Sequence, residues 1–239
     1  QYMRKYYTRA CNFYYGTKAK NLIKKKLALP LCGNKNIAFD NIEILSRGKK
    51  KKLITIKHIE KLPNQIKKIV LKDLKKIVAK RKILNKYSKV SNPLIMGVLN
   101  LTPDSFSDGG LYVQARKAFL HINNMISKGA DIIDIGGEST RPGSKIIPPK
   151  IEWKRLEKII INFKKKFPKI FLSIDTRKSE VMLKAIKHKS DLINDVSGFN
   201  YDQEAINKIK SYDVWKVLHH MQGTPNTMQI KPSYKNVLL

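Results

Sequence analysis

An α/β fold is predicted for this 239-residue chain by three observations. From Leu94 onward, short β-rich runs alternate with stretches of helical periodicity, a rhythm that implies parallel strands in βαβ units. Polar residues gather just after each apolar run, where parallel α/β folds place their functional groups. The residues before Ser91-Asn92-Pro93 lack this rhythm and are dense in lysine. The expected architecture is an incomplete (β/α)₈ barrel of about five βα units. It is preceded by a basic N-terminal α+β extension, with boundaries at residues 1–91 and 92–239.

The elements follow in order. Lys18 to Leu29 reads as a short basic helix ending at Pro30. Ile37 to Leu45 alternates apolar and polar residues with one phase slip, which predicts a strand. Leu53 to Ile59 is expected to pair with it across Arg47-Gly48. Ile66, Ile69, Val70, Leu74, Ile77, Val78, Ile83 and Leu84 recur at helical spacing, so Ile66 to Tyr87 is expected to be one helix with a solvated lysine face. In the second part, strands are expected at Leu94–Leu99, Ile132–Ile135, Ile170–Ile174, Leu192–Asn194 and Val214–Leu218. Helices are expected at Val113–Lys128, Ile151–Phe167, Ser179–His188 and Gln203–Lys210.

A formal charge of +31 raises the question of nucleic acid. The cations are 41 lysines against 8 arginines and are scattered over most expected helices. Base and phosphate readers favour arginine, so compositional drift toward lysine explains the charge better than a specific nucleic-acid surface. The general field still attracts anionic substrates. Cys11 and Cys32 have no metal-ligand spacing, which argues against a disulfide scaffold or zinc site and fits a reducing cytoplasm. No apolar run approaches the ~20 residues of a membrane span, and no signal-peptide pattern is visible. A first residue of Gln implies that the natural start lies elsewhere.

Chemistry concentrates after the strands. The first runs into NLTPDSFSDGG, which carries Asn100, two carboxylates (Asp104, Asp108), two hydroxyls and Phe106. The mixture suits a lid over a metal and an anion. The second runs into IDIGGESTRPG. Asp134 lies inside an apolar run, so it either pairs internally or faces the barrel mouth. Thr140 and Arg141 offer a hydroxyl and a rigid guanidinium for a phosphate, beside Pro142. The third ends in SIDTRK and the fourth in INDVSG. Asp175 and Asn194 at these ends make a donor–acceptor pattern for a flat heterocycle. Alternatively, Asp175 caps the helix opened by Ser179 and Glu180. His219-His220 follows the fifth strand, but strand neighbours point to opposite faces, which disfavours a shared metal.

These segments, in this order, resemble dihydropteroate synthase, a pterin-binding TIM-barrel family of folate biosynthesis. The resemblance runs from Pro93 to about Leu239 and rests above all on NLTPDSFSDGG and GGESTRPG, with MQGTPNTMQIKPSYKNV in support. It implies a transferase that condenses 6-hydroxymethyl-7,8-dihydropterin pyrophosphate with p-aminobenzoate, giving 7,8-dihydropteroate and pyrophosphate. By the same resemblance, Asn100 ligates Mg²⁺ and Thr140 and Arg141 contact the pyrophosphate. Asp134, Asp175 and Asn194 line the pterin pocket. Phe106 and Pro142 form part of the p-aminobenzoate pocket, with Asp104 and Asp108 supporting loop closure. Asp175, Arg141 and Asn100 are the implied catalytic set. The complete protein is expected to be a cytoplasmic homodimer, with no membrane and no specific nucleic acid as partner. One departure is His219, where the family often has Met.

The alternatives are a pterin-binding methyltransferase domain, which has no use for the TPDSFSDGG and STRPG loops, and a basic nucleic-acid-binding protein. Only 146 residues follow from Leu94, whereas a (β/α)₈ barrel takes about 250. The chain is therefore expected to be truncated at its C-terminus, inactive alone and poorly stable, with an open sheet edge.

Overall fold

The computed structural model describes residues 5–80, 93–102, 111–139, 145–224, 227–234 and 237. They fall into two compact units, Gln1–Val90 with Tyr234–Leu239, and Ser91–Ser233.

The first unit is an antiparallel sheet with helices. Its elements are β1 (Tyr7–Tyr15), α1 (Gly16–Lys24), β2 (Leu29–Leu31), β3 (Asn34–Leu45), β4 (Lys52–Thr55), a 3-10 turn at Ile56–Lys61, and α2 (Asn64–Val78). β3 is the hub: β1 pairs along it from Tyr7 opposite Leu45 to Tyr15 opposite Ile37, while β2 and β4 also pair with it. Phe39, Ile42 and Ile44 of β3 pack with Ile59, Leu62, Val70 and Leu74, the last two one turn apart on α2. The unit is α+β, with four differences from the sequence reading. The basic helix starts at Gly16 and ends at Lys24, and Pro30 lies inside β2. β1 had no counterpart among the expected elements. The partner of β3 stops at Thr55, where the chain coils into the 3-10 turn. Finally, α2 ends at Val78, with Ala79 extended. The Ile77 carbonyl accepts from the Cys32 N–H, and the next positions of the apolar face are Arg81 and Lys82. The remainder of the expected helix, residues 81–87, lies outside the described residues.

In the second unit five parallel strands follow one another in space as they do in sequence: β5 (Met96–Asn100), β6 (Ile132–Gly136), β7 (Phe171–Asp175), β8 (Leu192–Asp195) and β9 (Trp215–Leu218). That is the order of successive strands around a (β/α)₈ barrel, but the sheet is open. The connecting helices are α3 (Leu111–Ser127), α4 (Pro149–Lys166), α5 (Ser179–Lys187) and α6 (Ala205–Ile209). Every expected strand and helix of this part is present with shifted ends. β5 begins at Met96 because Ile95 is taken up with Asp131, whose carboxylate accepts the Ile95 N–H. α6 covers only Ala205–Ile209, because the residues before it form a turn in which Asp202 accepts from the Glu204 N–H.

Two faces with different chemistry result. Leu99, Ile133, Ile135, Leu172, Ile174 and Ile193 point to the helices and join Ala118, Ile122, Leu156, Ile160, Phe163 and Met182 in one core. The alternate residues face the other way. One row comprises Val98, Asp134, Ser173 and Leu192, and the next comprises Asn100, Gly136, Asp175 and Asn194. At the edges, Val98 is 55% exposed and Leu218 76% exposed. No helix among the described residues is long and apolar enough to cross a membrane.

Candidate active site

The row nearest the carboxyl ends of the strands holds the candidate site. Asn100 is the last residue of β5, opposite Gly136; Gly136 stands opposite Asp175, and Asp175 opposite Asn194. The absence of a side chain at Gly136 keeps this row open. A Cβ there would lie 3.2 Å from Asn100 Oδ1 and 3.3 Å from Asp175 Oδ2. The next residue, Gly137, lets β6 pass against α4, since a Cβ would meet Leu156 and Glu152 at 3.0–3.1 Å.

Asp134 sits one row behind and is buried. It accepts from Ser173 Oγ and from Asn194 Nδ2, the latter at 3.0 Å. The sequence left open whether Asp134 pairs internally or faces the mouth; internal pairing is what these bonds describe. Burial raises its carboxyl above the ordinary range, against the two hydrogen bonds. Asp175 is pushed up to about 7, first by burial and then by the charges of Asp134, Glu152, Asp195 and Glu138. A carboxyl titrating near neutrality, beside an amide on open strand ends, can accept or donate toward a planar heterocycle. Asp175 does not cap α5. The N-terminal residue of that helix, Ser179, donates its N–H to Asp202 at 2.8 Å.

Behind the row lies a charge cluster that sequence reading missed. Lys178 is buried, with Nζ 2.9 Å from Glu138 Oε1 and 2.6 Å from Glu152 Oε2. Arg177 Nε pairs with Glu138 Oε2 at 2.9 Å, and its guanidinium lies 4.1 Å from the Tyr201 ring centre. Glu138 also accepts the Ile147 N–H at 3.0 Å. Burial works to raise the Glu138 carboxyl, but hydrogen bonds from Arg177 and Lys178 outweigh it and hold it below its ordinary value. Glu138 lies within GGESTRPG, Arg177 and Lys178 end SIDTRK, and Glu152 lies in the first turn of α4. The available signal was charge inside the strand-end motifs themselves. Asp195, the neighbour of Asn194, ties its own loop by accepting from Ser197 N, Ser197 Oγ and Phe199 N.

Of the residues singled out from sequence, Asn100, Asp175 and Asn194 share one row and Asp134 supports it. Asp104, Phe106, Asp108, Thr140, Arg141 and Pro142 lie outside the described residues. His219 and His220 follow β9 and are exposed, and the His219 carbonyl abuts Gly198, where a Cβ would lie 2.5 Å away. A cavity of about 520 Å³ between Thr102, Gln114 and the α4 residues Arg155 and Lys158 contains none of the singled-out residues.

Residues 96–238 match the family model described as pterin binding enzyme. Dihydropteroate synthase of Neisseria meningitidis serogroup B is 44% identical over 152 residues, which are 62% of this chain and 52% of that protein. The Yersinia pestis dihydropteroate synthase structure with a sulfonamide drug is 38% identical, with a TM-score of 0.56 over 62% of this chain and 53% of that one. The Burkholderia cenocepacia enzyme complexed with 7,8-dihydropteroate is 37% identical, with a TM-score of 0.52 over 62% and 49%. The chain thus spans about half the length of the curated relatives it matches.

Proposed function

The chain belongs to the pterin binding enzyme family, and we propose that it carries the first half of a dihydropteroate synthase site. The reaction is the condensation of 6-hydroxymethyl-7,8-dihydropterin pyrophosphate with p-aminobenzoate to 7,8-dihydropteroate and pyrophosphate. The supporting observation is the open row Asn100–Gly136–Asp175–Asn194, on adjacent parallel strands of which the first two run into NLTPDSFSDGG and GGESTRPG.

In this reading Asp175 and Asn194 hold the pterin by its ring-nitrogen edge. Thr140 and Arg141 hold the pyrophosphate, while Phe106 and Pro142 cover the p-aminobenzoate and exclude water. The bond between the methylene carbon and the pyrophosphate oxygen breaks, and the electron pair leaves with pyrophosphate. The arylamine nitrogen bonds to that carbon and loses a proton. Positive charge builds on the pterin methylene, and the Asp175 carboxylate stabilises it. Arg141 stabilises the opposite charge on the leaving group.

Mg²⁺ fits the donors present. Asn100 Oδ1 and Asp175 Oδ2 both approach the space above Gly136, and hard oxygen donors suit this ion. Asn100 would hold it. When bound, Mg²⁺ neutralises charge on the leaving group. The free cysteines Cys11 and Cys32 support a cytoplasmic setting.

Calorimetry of pterin pyrophosphate binding tests the reading. R141A is expected to weaken it by about 1.5–3 kcal/mol, the range for hydrogen bonds to charged groups. F106A is expected to impair p-aminobenzoate use more than pterin binding. Unchanged affinity in R141A overturns the anion role.

A further inference from the structure

The polarity of Asn194 is set from behind. An ionised carboxylate only accepts hydrogen bonds, whereas an amide has one end that donates and one that accepts. Asp134, 4% exposed, turns one oxygen to Ser173 Oγ and the other to Asn194 Nδ2. The NH₂ end of Asn194 is therefore held toward Asp134, and its carbonyl oxygen is turned away. Among the described residues no group donates to Asn194 Oδ1. In the register Asn194 stands directly beside Asp175.

We infer that Asp134 is a positioning residue that acts through Asn194, locking the amide so that its carbonyl oxygen is presented to the ligand as a hydrogen-bond acceptor. Asp134 then matters to recognition without touching the ligand. Leaving a buried carboxylate in an apolar strand costs stability, and the two bonds from Ser173 and Asn194 offset part of that cost. The ligand identity rests on the pterin-binding reading above. The locked amide rests on the hydrogen bonds alone.

The experiment is a swap, read by binding of 6-hydroxymethyl-7,8-dihydropterin to the complete protein that supplies the second half of the site and by ¹⁵N spectra of the free chain. D134N removes the charge that forces the amide to one side, and is expected to weaken binding about tenfold. N194D places a second carboxylate against Asp134 and is expected to weaken binding at least as much. The double variant D134N/N194D rebuilds the pair with roles exchanged: the new amide donates, and the new carboxylate again presents an acceptor. It is expected to bind within about threefold of wild type. A role in packing alone predicts additive losses instead, and additive losses overturn the inference. In the free chain, the Asn194 side-chain amide resonance is expected to move in D134N; an unmoved resonance also overturns it. Because this chain carries only the first half of the proposed site, a complete wild-type protein that fails to bind dihydropterin counts against the pterin reading, while the amide spectra of the free chain still decide the role of Asp134.

Discussion

Asn100 and Asp175 stand on strands that do not pair with each other, yet their side-chain oxygens lie within 3.2 and 3.3 Å of the same point, the position a Gly136 Cβ would occupy. The intervening strand contributes the gap. The side chains of β5 and β7 reach a common space only because β6 carries no side chain there.

Gly136→Ala closes that gap. The methyl group must displace both oxygens by a few tenths of an ångström, an overpacking that costs about 1–3 kcal/mol. The expected outcome in calorimetry is a loss of dihydropterin affinity of about tenfold, with a modest drop in the thermal midpoint. Unchanged affinity in G136A contradicts the shared space.

Asp175 makes stability depend on pH with a definite sign. Its carboxyl titrates at about 7 in the fold and ordinarily at 3.8. Across that window the folded chain holds a proton that the unfolded chain has lost. Stability therefore falls as pH rises from about 4 to about 7 and levels off above, with a slope of at most about 1.4 kcal/mol per pH unit. D175N removes the slope. Denaturant titrations at several pH values are expected to show the variant gaining on wild type as pH rises; a constant difference speaks against the raised carboxyl.

Lys178 is enclosed with Glu138 and Glu152. K178M leaves Glu138 paired with Arg177 but strands the buried Glu152 carboxylate, and is expected to cost about 3–5 kcal/mol. Glu152 Oε1 already has no hydrogen-bond partner among the described residues. Pairing K178M with E152L removes the stranded charge, so the double variant is expected to be more stable than the sum of the single losses by about 1 kcal/mol or more. Chemical denaturation of the four proteins reads this directly, and strict additivity rules out the coupling.

The sheet of the second unit presents two edges, with Val98 and Leu218 exposed on β5 and β9. Unpaired edges with apolar side chains invite strand pairing between molecules. Sedimentation velocity is expected to show concentration-dependent association of the 239-residue chain despite its charge of +31. Lysine at both positions is expected to shift the distribution toward monomer. A wild-type chain that stays monomeric at all concentrations goes against the open edges.

Much of this was legible in the residues themselves. Ile132–Ile135, Phe171–Ile174 and Leu192–Ile193 announce buried strands because a parallel strand covered on one face by helices needs β-branched and aliphatic side chains. NLTPDSFSDGG and GGESTRPG announce a site because glycine, amide, hydroxyl and charge follow directly on those strands. Local spacing is enough for such readings, since it records which face of an element is apolar. It carries nothing about which residue of one strand stands beside which residue of another. Only the tertiary structure put Asn100, Gly136, Asp175 and Asn194 in one row, gave Asp134 a partner 60 residues away, and enclosed Lys178 between two glutamates. Likewise the Ile77 carbonyl, left free where α2 ends at Val78, accepts from the N–H of Cys32, a bond between residues far apart in the chain. Register and buried charge pairing are decided by hydrogen bonds and packing between distant segments, and the sequence states these only once the chain has folded.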